Sequence, residues 1–237
     1  MDRELARRAS AELVGTALLV AIVVGSGIAA QRLSPRDIGL QLLENSIATG
    51  AGLVALILAI GPVSGAHFNP VVTLADRLLG GNTTSEAIVY VVAQVGGACV
   101  GAVAANLMFS LPALTLSTHA RSTGGLWLGE FLATFGLLLV ILGVVRSGRS
   151  SAAAYAVGGY IAAAYWFTSS TSFANPAVTV GRTLTDTFAG IKPTSAPAFI
   201  VFQVAGAISA VLLARFWNPN IPAADLVVAR EPETHER

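Results

Sequence analysis

Long uncharged, apolar stretches separated by short charged clusters run along most of the chain. Nineteen residues without charge lie between Glu12 and Arg32, 31 between Glu44 and Asp76, and 34 between Glu86 and Arg121. Fifteen lie between Glu130 and Arg146, preceded by the apolar Leu126-Trp127-Leu128. A further 32 separate Arg149 from Arg182, and 22 separate Lys192 from Arg215. A bilayer core about 30 Å thick takes roughly 20 helical residues to cross. The pattern therefore predicts six spanning helices, over about 11–30, 42–61, 86–108, 127–146, 152–168 and 197–217. The first is not expected to be a cleaved leader, because no small-residue cleavage site closes it and five more spans follow.

The second and fifth gaps are too long for one span each. Each contains a polar, Gly- or Ser-rich segment that ends in Asn-Pro: 61–70 ends in Asn69-Pro70, and 168–176 in Asn175-Pro176. The apolar run after each Pro, Val71 to Leu79 and Ala177 to Thr187, is too short to span. Asn is a strong N-cap and Pro fits the first helical position. The spacing predicts two half-length helices beginning at these pairs. Irregular backbone at membrane depth is tolerated only where it is buried in protein or lines a cavity.

The two halves repeat in order. Glu12-Leu13-Val14-Gly15-Thr16 matches Glu130-Phe131-Leu132-Ala133-Thr134. Ser64…Asn69-Pro70-Val71-Val72-Thr73 matches Ser170…Asn175-Pro176-Ala177-Val178-Thr179, and Gln94-Val95-Gly96-Gly97-Ala98 matches Gln203-Val204-Ala205-Gly206-Ala207. Three spans per half is an odd number, so the second half inserts upside down relative to the first. Such an inverted repeat places a site near the midplane, between the two broken segments. The division is expected at residues 1–118 and 119–237, the second part ending in a polar tail from Asn218. Nine basic residues (Arg3, Arg7, Arg8, Arg77, Arg146, Arg149, Arg215, Arg230, Arg237) fall on the side of the termini. Five (Arg32, Arg36, Arg121, Arg182, Lys192) fall on the other. The positive-inside rule thus favours both termini in the cytoplasm.

Composition agrees with lipid as the solvent. The wide apolar class makes up 54% of residues and charged residues only 11%, against about 25% charged in soluble domains; mean hydropathy is +0.70. Fourteen basic residues against 13 acidic ones leave no field to attract nucleic acid. Glycine, 24 residues without a period, suits close helix packing in a membrane. The lone Cys99 forbids an internal disulfide, and His67, His119 and His235 share no ligand spacing. No metal or cofactor is expected, and no nucleophile, base and orienting group recur at a spacing that suggests catalysis.

Glu12 and Glu130 stand inside apolar spans, where a charge is costly and marks function by default; a glutamate near a helix end can also reach toward the headgroups. Gln94 and Gln203 can bind loop backbone or bridge helices. His67 lies beside the first motif, and Cys99 reads as packing.

Six spans, two inverted halves and an Asn-Pro-Ala-type motif in each half resemble the aquaporin and glycerol-facilitator family, over roughly residues 10–217. The resemblance implies an all-α membrane protein of aquaporin-like fold, with six transmembrane helices and two re-entrant half-helices. It implies a passive channel for small uncharged solutes, in a bacterial plasma membrane and as a homotetramer. The pore motif is then Asn69, Pro70, Val71 and Asn175, Pro176, Ala177, with Val71 where Ala is usual. Two helix N-termini meeting head to head carry about half a positive charge each. With the asparagine N–H groups they would repel cations and break a proton-conducting water chain. Glu12 and Glu130 would accept hydrogen bonds from the non-helical backbone before each half-helix.

At the selectivity filter the chain departs from the family's common pattern. The residue three after the second Asn is usually Arg and here is Val178. Arg182 lies one helical turn further and is not expected to occupy the same spot. The other filter positions fall at Thr49, where an aromatic is common, at Ser172, and at either Ala163 or Tyr165, depending on how the fifth span is aligned. Loss of the arginine and an aromatic implies a wider constriction and a weaker barrier to cations. The combination resembles a bacterial aquaglyceroporin-like subgroup tied to arsenic resistance, which implies water, glycerol-like polyols, and arsenite or methylated arsenicals as solutes. A secondary transporter and a water-only channel are the alternative readings.

Overall fold

The computed structural model describes residues 2–218. Among them are eight α-helices: α1 (Arg3–Leu33), α2 (Ile38–Ser64), α3 (Pro70–Leu79), α4 (Thr84–Met108), α5 (Gly124–Arg146), α6 (Ala153–Phe167), α7 (Pro176–Gly181) and α8 (Ala196–Trp217). Single 3₁₀ turns precede α6, follow α7 and precede α8. The polar tail, with His235, lies outside the described residues beyond Asn218.

Local chemistry sets the boundaries. The Asp2 side chain accepts the Leu5 N–H at 2.7 Å, so α1 starts at Arg3 and the charged lead is part of the helix. Asp37 caps α2 in the same way. Thr83 and Glu86 cap α4 reciprocally, each accepting from the other's backbone N–H. α2 ends at Gly65, whose φ of +87° is easy only for glycine.

Five helices, α1, α2, α4, α5 and α8, are long and apolar enough to cross a membrane. The remaining span, α6, has only 15 residues, about 22 Å at 1.5 Å per residue. It ends, as expected, at Thr168, which turns extended while its hydroxyl bonds back to the Ala164 carbonyl at 2.7 Å. α7 is shorter than its apolar run suggested. It gives way after Gly181 to a 3₁₀ turn over Arg182–Leu184.

The helices pack in matched pairs: α1 on α4 and α5 on α8, with α2 on α6 between them. Glycine makes the first two contacts possible. A Cβ at Gly97 would stand 2.2 Å from the Leu13 carbonyl oxygen, and one at Gly206 would stand 2.5 Å from that of Phe131. The short helices α3 and α7 are both wedged between α4 and α8. Leu18, Val92, Val100, Leu132, Val201 and Leu212 remain exposed around the outside. An apolar girdle of that kind is stable against lipid rather than water.

Candidate pore

The two segments that precede α3 and α7 carry the same unusual backbone. φ is positive at Gly65, Ala66 and Phe68, and again at Thr171, Ser172 and Ala174. These positions match one another at the offset that separates Asn69 from Asn175. Left-handed backbone in non-glycine residues stores about 1–3 kcal/mol each and persists only where the surroundings hold it.

Two buried carboxylates do the holding. Glu12 accepts the Ser64 hydroxyl at 2.7 Å, the His67 N–H at 3.0 Å, the Phe68 N–H at 2.7 Å and the Gln94 amide at 2.8 Å. Glu130 accepts the Phe173 and Ala174 N–H groups, both at 2.9 Å, and the Gln203 amide at 2.6 Å. Gln94 and Gln203 also donate to Thr73 and Thr179 on the half-helices, each at 2.9 Å. The glutamates thus bind the first turns of irregular backbone, and the glutamines bind the helices that follow.

Each asparagine performs two tasks. Its oxygen caps its own helix: Asn69 Oδ1 accepts the Val71 N–H at 3.1 Å, and Asn175 Oδ1 accepts those of Ala177 and Val178 at 3.0 and 3.2 Å. Its nitrogen crosses to the other segment. Asn69 donates to the Ala174 carbonyl and Asn175 to the Phe68 carbonyl, both at 2.8 Å. An amide nitrogen has two hydrogens, so each of these crossed bonds uses only one of them.

Both asparagines line a slender cavity of about 50 Å³, room for roughly three to five waters. Its walls are stripes at a spacing of four: Leu19 and Val23 of α1; Thr49, Leu53 and Ile57 of α2; Leu137 and Ile141 of α5; and Val157, Ile161 and Tyr165 of α6. Residues four apart share one face of a helix. His67 lines the end nearer α3, with Nδ1 3.1 Å from Thr73 Oγ1. Thr49, Tyr165, Ser172 and Val178 line the other. Thr49 Oγ1 and Tyr165 Oη stand 3.1 Å apart, and the buried Ser172 hydroxyl has no partner among the described residues. Ala163 is exposed on a different face of α6 and does not line the cavity, so of the two alternatives only Tyr165 does. Pro70, Val71, Pro176 and Ala177 form the first turns of the half-helices behind the asparagines. Cys99 lies away from the cavity, on an apolar groove of α4.

One cavity-lining residue was not expected there. Arg182 is 2% exposed and reaches the same space as Val178. Its guanidinium lies over the Phe173 ring, with Cζ 3.4 Å from the ring centroid, and its Nε donates to the Ala189 carbonyl. Counting helical positions locates its backbone a turn away but ignores the reach of the side chain.

Loop 109–123 is stitched over this end. Thr115 and Ser117 donate to the carbonyls of Leu184 and Thr183, and Lys192 donates to that of His119. Asp186 accepts the Thr118 N–H at 2.8 Å, and His119 Nε2 stands 3.7 Å from it. The Thr118 backbone bond holds the Asp186 carboxyl below the usual Asp value. Its contribution is therefore complete above that value, about 3.9, and fades as the pH falls through the lower folded value. Because the site faces solvent, its effect is small. Asp186→Asn at neutral pH is expected to raise amide exchange in 115–119 a few-fold and to leave the global Tm unchanged. Unchanged exchange would show that the backbone bonds alone hold the loop.

The family model described as Major intrinsic protein matches residues 2–172 and 128–235. Aquaglyceroporin AqpS of Rhizobium meliloti (strain 1021) is 49% identical over 231 residues, covering 98% of this chain and 97% of the relative. Probable aquaporin AqpM of Archaeoglobus fulgidus is 30% identical, covering 90% and 97%. The X-ray structure of the aquaglyceroporin from Plasmodium falciparum aligns with a TM-score of 0.68 at 24% identity, over 92% of this chain and 97% of that one. At that identity the likeness speaks for the fold.

Proposed function

The chain belongs to the major intrinsic protein family of membrane channels, and on that premise we propose that it conducts water, glycerol-like polyols and the uncharged arsenicals by passive diffusion through the asparagine-lined cavity. It is an integral membrane channel and not an enzyme. The observation that carries the reading is the reciprocal pair of asparagines. Each keeps one amide hydrogen toward the cavity, so a solute oxygen meets two donors at the midpoint. Apolar stripes on the remaining walls give a solute few groups to hold it, and selectivity follows from diameter and the few polar groups.

The solute range rests on Thr49, Tyr165, Ser172 and Val178. Val178 contributes neither donor nor charge, and Thr49 is small. Arsenite is uncharged at neutral pH and presents hydroxyl groups as glycerol does, so the same cavity suits both. Glu12 and Glu130 act as loop supports in this reading, and residues 1–118 and 119–237 form the two inverted repeats. The distribution of basic residues supports both termini in the cytoplasm of a bacterial plasma membrane. Small residues along the spans suit assembly as a homotetramer with one pore in each subunit.

Stopped-flow swelling of reconstituted vesicles in water, glycerol, urea and arsenite tests the proposal. Flux of glycerol and arsenite is expected to follow their own gradients and to ignore proton and sodium gradients. Accumulation driven by an ion gradient would establish a secondary transporter, and water flux alone would establish a water-only channel.

A further inference from the structure

The position that would carry a cation in the sequence pattern holds Val178, yet the cavity is not without one. The 3₁₀ turn after α7 winds at three residues per turn and swings Arg182 back over Phe173. The guanidinium is fixed at two points, by the ring face and by the Ala189 carbonyl. Its two terminal nitrogens have no hydrogen bond to any described residue. Glu130 acts on it electrostatically without forming an ion pair with it. The ion pairs among the described residues are Arg7–Glu4, Arg8–Glu86 and His119–Asp186, and Glu130 is engaged by Phe173, Ala174 and Gln203.

A second guanidinium stands behind the same ring, with Arg121 Cζ 5.2 Å from the Phe173 centroid. Its nitrogens are turned to the carbonyls of Gly190, Ser170 and Phe188. Arg121 therefore fastens the loops and adds to the local positive potential, while only Arg182 lines the cavity.

We infer that Arg182 is a specificity-determining residue of this channel, its guanidinium supplying from the next turn the fixed positive charge and free N–H donors that Val178 lacks. A cation entering the Val178 end meets a fixed like charge on the cavity wall. A hydroxyl-bearing neutral solute meets donors on Arg182 and the free hydroxyl of Ser172. Because the charge comes from further along the chain, the side chain at 178 can stay small without opening the pore to ions.

The inference rests on the passive-channel reading, and one set of vesicle experiments separates the two. Water, glycerol, sodium and proton fluxes are measured on the reconstituted full chain. Wild type is expected to pass water and glycerol and to reject sodium and protons. Arg182→Gln is expected to raise sodium or proton flux at least tenfold, Arg182→Lys to hold it within about twofold of wild type, and Arg182→Gln combined with Val178→Arg to restore rejection. A purely structural role would not produce rescue by a charge placed at 178. A wild type that passes water but leaks cations, a folded Arg182→Gln as tight as wild type, or a leaky Arg182→Lys would each overturn the role of Arg182. If Arg182→Gln does not fold, the wild type and the lysine variant still decide. Absence of all flux in wild type would count against the channel reading instead.

Discussion

Glu12→Ala is expected to yield a protein that either fails to assemble or melts well below wild type in detergent. The substitution strands the His67 and Phe68 N–H groups in a dry interior and frees the Ser64 hydroxyl and Gln94 amide. An unsatisfied buried backbone donor costs about 1–3 kcal/mol, so the two amides alone imply about 2–6 kcal/mol. The loss also releases Ala66 and Phe68 from a left-handed backbone that the carboxylate holds. Glu130→Ala repeats the experiment on the other half, where the Phe173 and Ala174 N–H groups are stranded. Thermal melting followed by size-exclusion chromatography measures both variants. Wild-type Tm and normal flux in both would mean that neither carboxylate supports its loop.

Val178→Arg is expected to lower glycerol and arsenite flux at least tenfold and to lower water flux less. Val178 lines a cavity of only about 50 Å³, so the longer side chain occupies much of the passage. It also brings a further guanidinium beside that of Arg182, with no carboxylate among the residues that line the cavity. Water passes where a three-carbon polyol does not. The measurement is swelling with water, glycerol and arsenite on wild type and variant side by side. An unchanged ratio of glycerol to water flux in correctly folded protein would remove Val178 from the constriction.

The spans and broken segments were legible because each rests on a pattern the membrane enforces: charge-free length for a helix, Asn-Pro for a helix start, and ordered repetition for the second half. α6, at Ala153–Phe167, came within one residue of its expected bounds at each end. The choice between Ala163 and Tyr165 could have been made from periodicity, since Val157, Ile161 and Tyr165 lie at a spacing of four and line the cavity together. Alignment to the motif ignored that stripe. Arg182 was hidden for a different reason. Positional counting assigns one residue to each place on a helix, whereas a long side chain on a tightened turn acts a turn away. Its signal was an arginine closing an apolar gap, with Phe173 available to stack upon it.

The crossed amides of Asn69 and Asn175 have a consequence for how the chain is made. Glu12, Ser64, His67, Phe68 and Gln94 all lie in the first half, so the first carboxylate can complete its bonds as soon as three spans have emerged. Asn69 cannot, because its acceptor on Ala174 is 105 residues away, and Phe68 likewise waits for Asn175. These two crossed bonds therefore need both Asn-Pro segments present, whereas the bonds of Glu12 need only the first.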